Sequence, residues 1–287
     1  MKNLLFLFLL ALSFTAAAVI IPDGARDSRY RVAGSALPAL ADLPTEGQGT
    51  LIAPRWVLTA GHAVRMMRQM PSMRFVTIAG KRRAVRRIVL YPDFLAGAAK
   101  LNALFKQTKV DPAQWLARFA SVHSRMHDIA LIELAEPVKD VSPVPLYRGN
   151  GELGRVIEIY GKGATGTSRK GEAPNAPHRT TLRRAENPLT GAQGQWLDYK
   201  FDCGRDALPL EGVIGGGDSG GPVLIHDRGA WKLAAVSKGL NGNKADLLAF
   251  RHGTFRQGIC GQHFTNSRVS FYAKWIDDTM KNRGQRP

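Results

Sequence analysis

A chain of 287 residues is long enough to bury a full core, as one large domain or two small ones. Forty Lys and Arg against 23 Asp and Glu give a formal charge of +17, so the surface attracts polyanions. Its basic clusters are short (Lys81-Arg82-Arg83, Arg86-Arg87, Arg183-Arg184), with no zinc-finger spacing, aromatic RNA-binding signature or recognition helix, which argues against a specific nucleic-acid partner.

The first 18 residues read as an export signal. Lys2 gives a positive start, Leu4 to Leu12 an apolar run and Ala16-Ala17-Ala18 a small-residue cleavage site. That run is shorter than the roughly 20 apolar residues of a spanning helix, and Pro22, Asp23, Gly24 and Arg26 follow at once. A membrane anchor or a buried first helix is therefore disfavoured, and a secreted or periplasmic protein is expected. Cleavage after Ala18 removes a single charged residue, Lys2.

The remainder reads as β-rich. Short apolar or alternating runs recur at Trp56–Thr59, Phe75–Ile78, Val85–Tyr91, Ile129–Leu134, Val156–Tyr160, Trp196–Phe201, Pro222–Ile225 and Trp231–Val236, punctuated by Gly and Pro. Two segments break the pattern. Asp111-Pro112 supplies a cap and a first-turn proline, and Trp115, Leu116, Phe119 and Val122 follow on one face. With Leu101, Leu104 and Phe105 they predict a helical insertion before Asp128. At the C-terminus Ser270 is a candidate cap for a helix with Phe271, Trp275, Ile276 and Met280 on its apolar face. Thr165 to Thr181 is rich in Gly, Pro, Ser and basic residues and reads as a mobile loop. Cys203 and Cys260 form an even pair, either a disulfide or two buried thiols; a bridge would be worth roughly 4 kcal/mol in the chain-entropy model.

Three segments carry chemistry. Gly215-Gly216-Gly217-Asp218-Ser219-Gly220-Gly221-Pro222 surrounds a serine with glycines that let backbone approach a substrate carbonyl and aim N–H groups at one spot. The string also satisfies the lipase G-x-S-x-G pattern, but there a helix follows the nucleophile and the histidine comes last. Here Val223-Leu224-Ile225 continues as extended chain and the best histidine, His62, lies upstream. His62 follows the apolar Leu51–Thr59 stretch in Thr-Ala-Gly-His-Ala, and a neutral imidazole suits proton transfer near neutral pH. Asp128 opens the apolar run Ile129–Leu134, where a carboxylate at a core edge can accept the second ring N–H of His62.

Thr59–Ala63, Asp128–Leu131 and Gly217–Pro222, in the order His, Asp, Ser, resemble the trypsin/chymotrypsin family of serine peptidases in a bacterial-type exported version. Tyr160-Gly161-Lys162-Gly163 is similar to the family's turn opening the second barrel, Leu182–Ala185 to its next strand, Trp231–Gly239 to its substrate-binding strand and Val269–Ile276 to the entry of its terminal helix. The resemblance implies an all-β fold of two antiparallel Greek-key barrels with a C-terminal helix, the first within residues 19–145 and the second within 146–287. It implies Ser219 as nucleophile, His62 as base and acid, Asp128 as orienter, and an oxyanion hole from the N–H groups of Gly217 and Ser219. Ser237 would support Asp128, Gly239 would line the specificity pocket, and Asp218 would pair with a newly exposed N-terminus.

Some positions depart from the pattern. Val213 stands where trypsin-like enzymes carry a pocket aspartate, which predicts an apolar or small residue before the cleaved bond. The family cysteine is absent at Gly215, and Lys238 replaces an aromatic, which would either favour acidic substrate groups or point to solvent. Cleavage after Ala18 would free Val19 as the partner of Asp218; cleavage after Arg31, freeing Val32, is the alternative. His123 and His127 are spaced i, i+4 without a third ligand, so neither a metal nor a cofactor is expected. The expected protein is a monomeric serine endopeptidase with a protein or peptide substrate and non-specific attraction for polyanions. A catalytically silent polyanion-binding homologue and an esterase on the same fold are its rivals.

Overall fold

The computed structural model describes residues 19–107, 109–179, 181–240 and 244–282, so the expected leader, residues 1–18, lies outside the described residues. In chain order the strands are β1 (Val19–Ile21), β2 (Leu40–Asp42), β3 (Gln48–Ala53), β4 (Trp56–Thr59), β5 (Phe75–Ile78), β6 (Lys81–Leu90), β7 (Ala130–Leu134), β8 (Val156–Gly161), β9 (Thr165–Thr167), β10 (Gly171–Glu172), β11 (Arg183–Gln193), β12 (Trp196–Lys200), β13 (Pro222–Asp227), β14 (Ala230–Leu240) and β15 (His263–Arg268). The helices are α1 (Arg65–Gln69), α2 (Phe94–Phe105), α3 (Pro112–His123), α4 (Lys244–Arg251) and α5 (Val269–Lys281).

Two closed six-stranded antiparallel barrels result, as the resemblance implied. The first runs β2-β3-β4-β7-β6-β5 and closes where Ala41 pairs with Ile78. The second runs β11-β12-β15-β14-β13-β8 and closes where β8 meets β11, Glu158 opposite Glu186. Closure leaves no barrel edge unpaired. Residue type tracks position in the wall. β4 and β7 are buried along their whole length and almost wholly apolar, whereas β6 carries exposed Lys81, Arg82 and Arg86 and buries only Val85.

Outside the barrels, β1 runs parallel to β9, and β10 pairs antiparallel with β9. This corrects the reading of Thr165 to Thr181 as a mobile loop throughout. Glycine and threonine hid β9, whose register is set against Val19, Ile20 and Ile21, distant in sequence, and β10, which pairs with β9.

The insertion before Asp128 is a helical hairpin. Asp111 Oδ1 accepts the N–H of Ala113 at 2.9 Å and of Gln114 at 3.1 Å, the expected cap. Trp115 is fully buried, donates Nε1–H to the Leu104 carbonyl at 3.0 Å and meets Phe105 edge-on at 5.4 Å. The hairpin is fastened to α4: Phe105 packs on Phe250 at 5.1 Å, and Arg251 donates to the Val110 carbonyl at 2.7 Å.

α5 buries Val269, Tyr272 and Ile276 in the core cluster of the first barrel. Its cap position is Arg268, not Ser270 as expected. Ser270 lies in the first turn and donates instead to Glu152 Oε1 at 2.9 Å, a fully buried carboxylate that Arg268 grips with two hydrogen bonds of 2.9 and 2.7 Å. Cys203 and Cys260 form a disulfide, their Cα atoms 6.0 Å apart. No helix of the described residues is long and apolar enough to cross a membrane.

Candidate active site

Strand β4 ends in Thr59, and Ala60-Gly61 then leads to His62, which opens a short 3-10 turn. Gly61 packs closely on α2, since a Cβ there would lie 3.1 Å from the Phe94 ring. Asp128, two residues before β7, is 2% exposed. Its Oδ1 accepts the backbone N–H of His62 at 2.9 Å, and its Oδ2 lies 2.7 Å from His62 Nδ1. One carboxylate thus fixes both the backbone and the ring of His62, selects the tautomer with hydrogen on Nδ1 and leaves Nε2 for another partner. The imidazole side chain is 41% exposed at the cleft surface.

The charges follow from this geometry. Burial disfavours the imidazolium, but the charge and hydrogen bond of Asp128 outweigh it and raise the His62 pKa, while nearby Lys238 opposes the rise. Burial likewise works against the Asp128 carboxylate, and the His62 contact, with help from Lys238, brings its pKa below the usual value.

Ser219 lies on the turn before β13. Its carbonyl accepts the N–H of Gln48 at 2.7 Å, and Gly220 N–H donates to the Ser237 carbonyl at 2.7 Å. Gly220 has φ +81°, and a Cβ there would fall 2.2 Å from both Gln48 O and Thr59 Oγ1. The serine turn is therefore seated on β3 and the end of β4, three residues from His62. Thr59 Oγ1 completes this seat by donating to the Gln48 carbonyl at 2.6 Å. Gln48 was not singled out in the sequence, where one polar residue opening a strand gives no signal.

Gly217 adopts φ +87°, a conformation that favours glycine, and the preceding carbonyl of Gly216 is held by Ala164 N–H at 2.6 Å. Asp218 is fully buried. It accepts Gly163 N–H at 2.7 Å and Gly215 N–H at 3.0 Å, yet burial pushes its pKa up to about 7. Val19 is buried, and Ile20 exchanges both backbone hydrogen bonds with Val213, five residues before Asp218, at 2.8 and 2.9 Å.

Of the remaining sequence-selected residues, Ser237, Lys238 and Gly239 lie on β14. Val213 is fully buried within the core cluster of the second barrel. Gly239 lies at a bulge with φ +142°, and a Cβ there would meet nothing within 4 Å. The Ser237 hydroxyl is buried and finds no hydrogen-bond partner among the described residues. The serine that does reach Asp128 is Ser267, which donates to its backbone carbonyl at 2.7 Å. Lys238 Nζ lies 2.6 Å from Nε2 of His123 at the end of α3 and 5.2 Å from the Trp196 ring centre, with the His123 ring stacked on Trp196 at 5.3 Å. Burial and the lysine charge push His123 down to about 3, so its imidazole is neutral and accepts from the ammonium. Burial lowers the Lys238 pKa in turn, with Asp128 and Asp198 acting against the shift. His127 faces elsewhere, its Nδ1 3.0 Å from the Tyr272 hydroxyl.

The trypsin family profile matches residues 30–249, and the chain belongs to that family of serine proteases. Similar relatives include the snake venom serine protease HS112 of Bothrops jararaca, 28% identical over 186 residues that cover 62% of each chain. The thrombin-like enzyme leucurobin of Bothrops leucurus is 30% identical over 183 residues, 62% of this chain and 68% of the relative. Human testisin is 24% identical over 94% of this chain and 84% of its own. Of solved structures, mouse neuropsin superposes with a TM-score of 0.58 at 18% identity over 88% of this chain and 98% of its own. A mutant of human heparin binding protein superposes with a TM-score of 0.60 at 17% identity over 90% and 98%. These superpositions concern the fold.

Proposed function

We propose that the protein is an exported serine endopeptidase that cleaves peptide bonds through an acyl-enzyme. The observation that carries this reading is the double grip of Asp128 on His62, 2.9 Å to the backbone N–H and 2.7 Å to Nδ1, beside the seat of Ser219. Ser219 Oγ attacks the substrate carbonyl as His62 Nε2 takes its proton. The N–H groups of Gly217 and Ser219 stabilise the oxyanion, and the imidazolium returns the proton to the leaving amine. Water then repeats the sequence on the acyl-enzyme, with His62 as base and then acid, and restores the Ser219 hydroxyl.

Val213 brings no charge to the base of the specificity site, which favours an apolar or small residue before the cleaved bond. Cleavage after Ala18 is preferred over cleavage after Arg31 because Val19 to Ile21 form a buried strand whose Ile20 is bonded to Val213, five residues before Asp218. The new ammonium at Val19 would then pair with Asp218. The disulfide agrees with an exported location. Treating the processed protein and its Ser219→Ala variant with a fluorophosphonate probe tests the reading: labelling that requires Ser219 supports it, and absence of labelling in folded protein overturns it.

The second reading is a catalytically silent polyanion binder. The formal charge of +17 and a structural neighbour named for binding heparin favour it. The same labelling experiment separates the two.

A further inference from the structure

A cavity of about 460 Å³ opens directly beside His62, between α1 and the inserted helix α2. His62 is one of its walls. Phe94, Leu95, Leu101 and Met126 are among its apolar lining, and Leu95 is 53% exposed although it is a large hydrophobic side chain. Arg65 and Arg68 also line it, one helical turn apart and both exposed. No carboxylate lines this cavity, and neither guanidinium has an acidic partner among the described residues. Most other arginines close to the barrels are matched: Arg83 with Asp140, Arg87 with Glu133 and Arg184 with Glu158. An apolar hollow of ligand size with two unmatched cations at one side is complementary to a group that is apolar in its body and anionic at its edge.

We propose that this cavity is a substrate-recognition pocket for an acidic peptide segment, in which a Leu- or Phe-sized side chain enters the hollow and a neighbouring Glu or Asp carboxylate meets Arg65 and Arg68. The proposal rests on the peptidase reading for its consequence, because a group seated against His62 belongs to a residue close to the bond cut. The pocket is made by the insertion: without α2 its far wall would be missing.

The test uses the processed full-length protein and fluorescent hexapeptide pools that carry Leu next to either Glu or Gln. Binding is measured by anisotropy on the Ser219→Ala variant, and kcat/KM on the unmodified protein. The Glu pool should be favoured roughly three- to tenfold in both measurements, as two exposed ion pairs allow. Replacing both arginines together, Arg65→Gln with Arg68→Gln, should bring the Glu/Gln ratio to about one, and the double lysine variant should retain most of it. Ala98→Trp, which fills the hollow, should abolish discrimination between Leu and Ala while the protein melts normally. A Glu/Gln ratio of one in the unmodified protein, or one untouched by the double glutamine variant, overturns the pocket. Fluorophosphonate labelling separates the two layers. A labelled protein indifferent to Glu loses the pocket and keeps the peptidase. An unlabelled protein that still binds the Glu pool better loses the peptidase and keeps the pocket.

Discussion

The peptide nitrogen of Gln48 donates to the carbonyl of Ser219 at 2.7 Å, so the proposed nucleophile is stitched by its own backbone to the barrel that carries His62. Position 220 is the tightest part of that seam. Gly220→Ala would place a methyl group 2.2 Å from Gln48 O and Thr59 Oγ1 at a φ of +81°. Gly229→Ala has nearly the same φ, +80°, with nothing within 4 Å, and should cost only about 1 kcal/mol in thermal unfolding. Gly220→Ala should be far more damaging and should lose probe labelling by 100-fold or more, because the seam must part before the methyl fits. Equal melting of the two variants would contradict this.

Asp128→Asn should leave the fold intact and lower kcat on the order of 10⁴-fold, since an amide no longer enforces the tautomer that leaves Nε2 basic. Steady-state kinetics together with a melting curve checks it.

His62 must be neutral to accept a proton, so activity should fall as pH drops through its pKa. Asp128 raises that pKa, which places the acid limb of kcat/KM above the ordinary imidazole value of 6.5. Lys238 opposes the rise while it is charged. Lys238→Met removes a positive charge, favours the imidazolium and should move the acid limb to still higher pH. A limb that does not move would show that the lysine charge does not reach His62, and one that moves down would contradict the sign.

Asp218 offers a second pH signature. Without a cation its pKa is pushed from 3.8 to about 7, so the folded state binds a proton that the unfolded state releases. Stability from this group is full below about pH 3.8 and is lost as pH rises through 7, with a ceiling on the order of 4 kcal/mol. A Val19 ammonium would offset that loss. Protein beginning at Val19 should therefore melt higher at pH 8 than protein with one extra preceding residue, and the gap should close on acidification. A constant gap from pH 4 to 8 would separate Asp218 from the N-terminus.

Cys203 and Cys260 are separated by 57 residues, and Cys203→Ser with Cys260→Ser should lower stability by at most about 4 kcal/mol. Denaturant unfolding measures it.

What was legible in the sequence was chemistry held in contiguous strings. Gly217 to Pro222 and Thr59 to Ala63 are short, local and hard to explain otherwise, whereas Asp128 opens an ordinary apolar strand and was legible only through its order between them. The Asp111-Pro112 start of α3 was equally local, being a cap and a ring-fixed first turn. Strands with continuous apolar runs, such as β4 and β5, were found at their observed limits. β15 was missed because Thr265, Asn266 and Ser267 are buried polar residues, satisfied by partners such as Asp198, the Leu197 carbonyl and the Asp128 carbonyl that only the fold brings near. The role expected of Ser237 was carried over by position, and here its hydroxyl meets no partner among the described residues. The contact between Lys238 and His123 spans 115 positions and joins an insertion to a strand, so no local pattern announces it.

The hairpin of α2 and α3 leaves the first barrel but is tied to the second through His123 with Lys238, Ser124 with Gln195, and Val110 with Arg251. These ties brace the hairpin against the second half of the chain, on the side of the cavity beside His62. Trading residues 95–122 for a shorter connection that keeps Phe94 and His123 should therefore change which polypeptides fit, while the Asp128 grip on His62 stays in place.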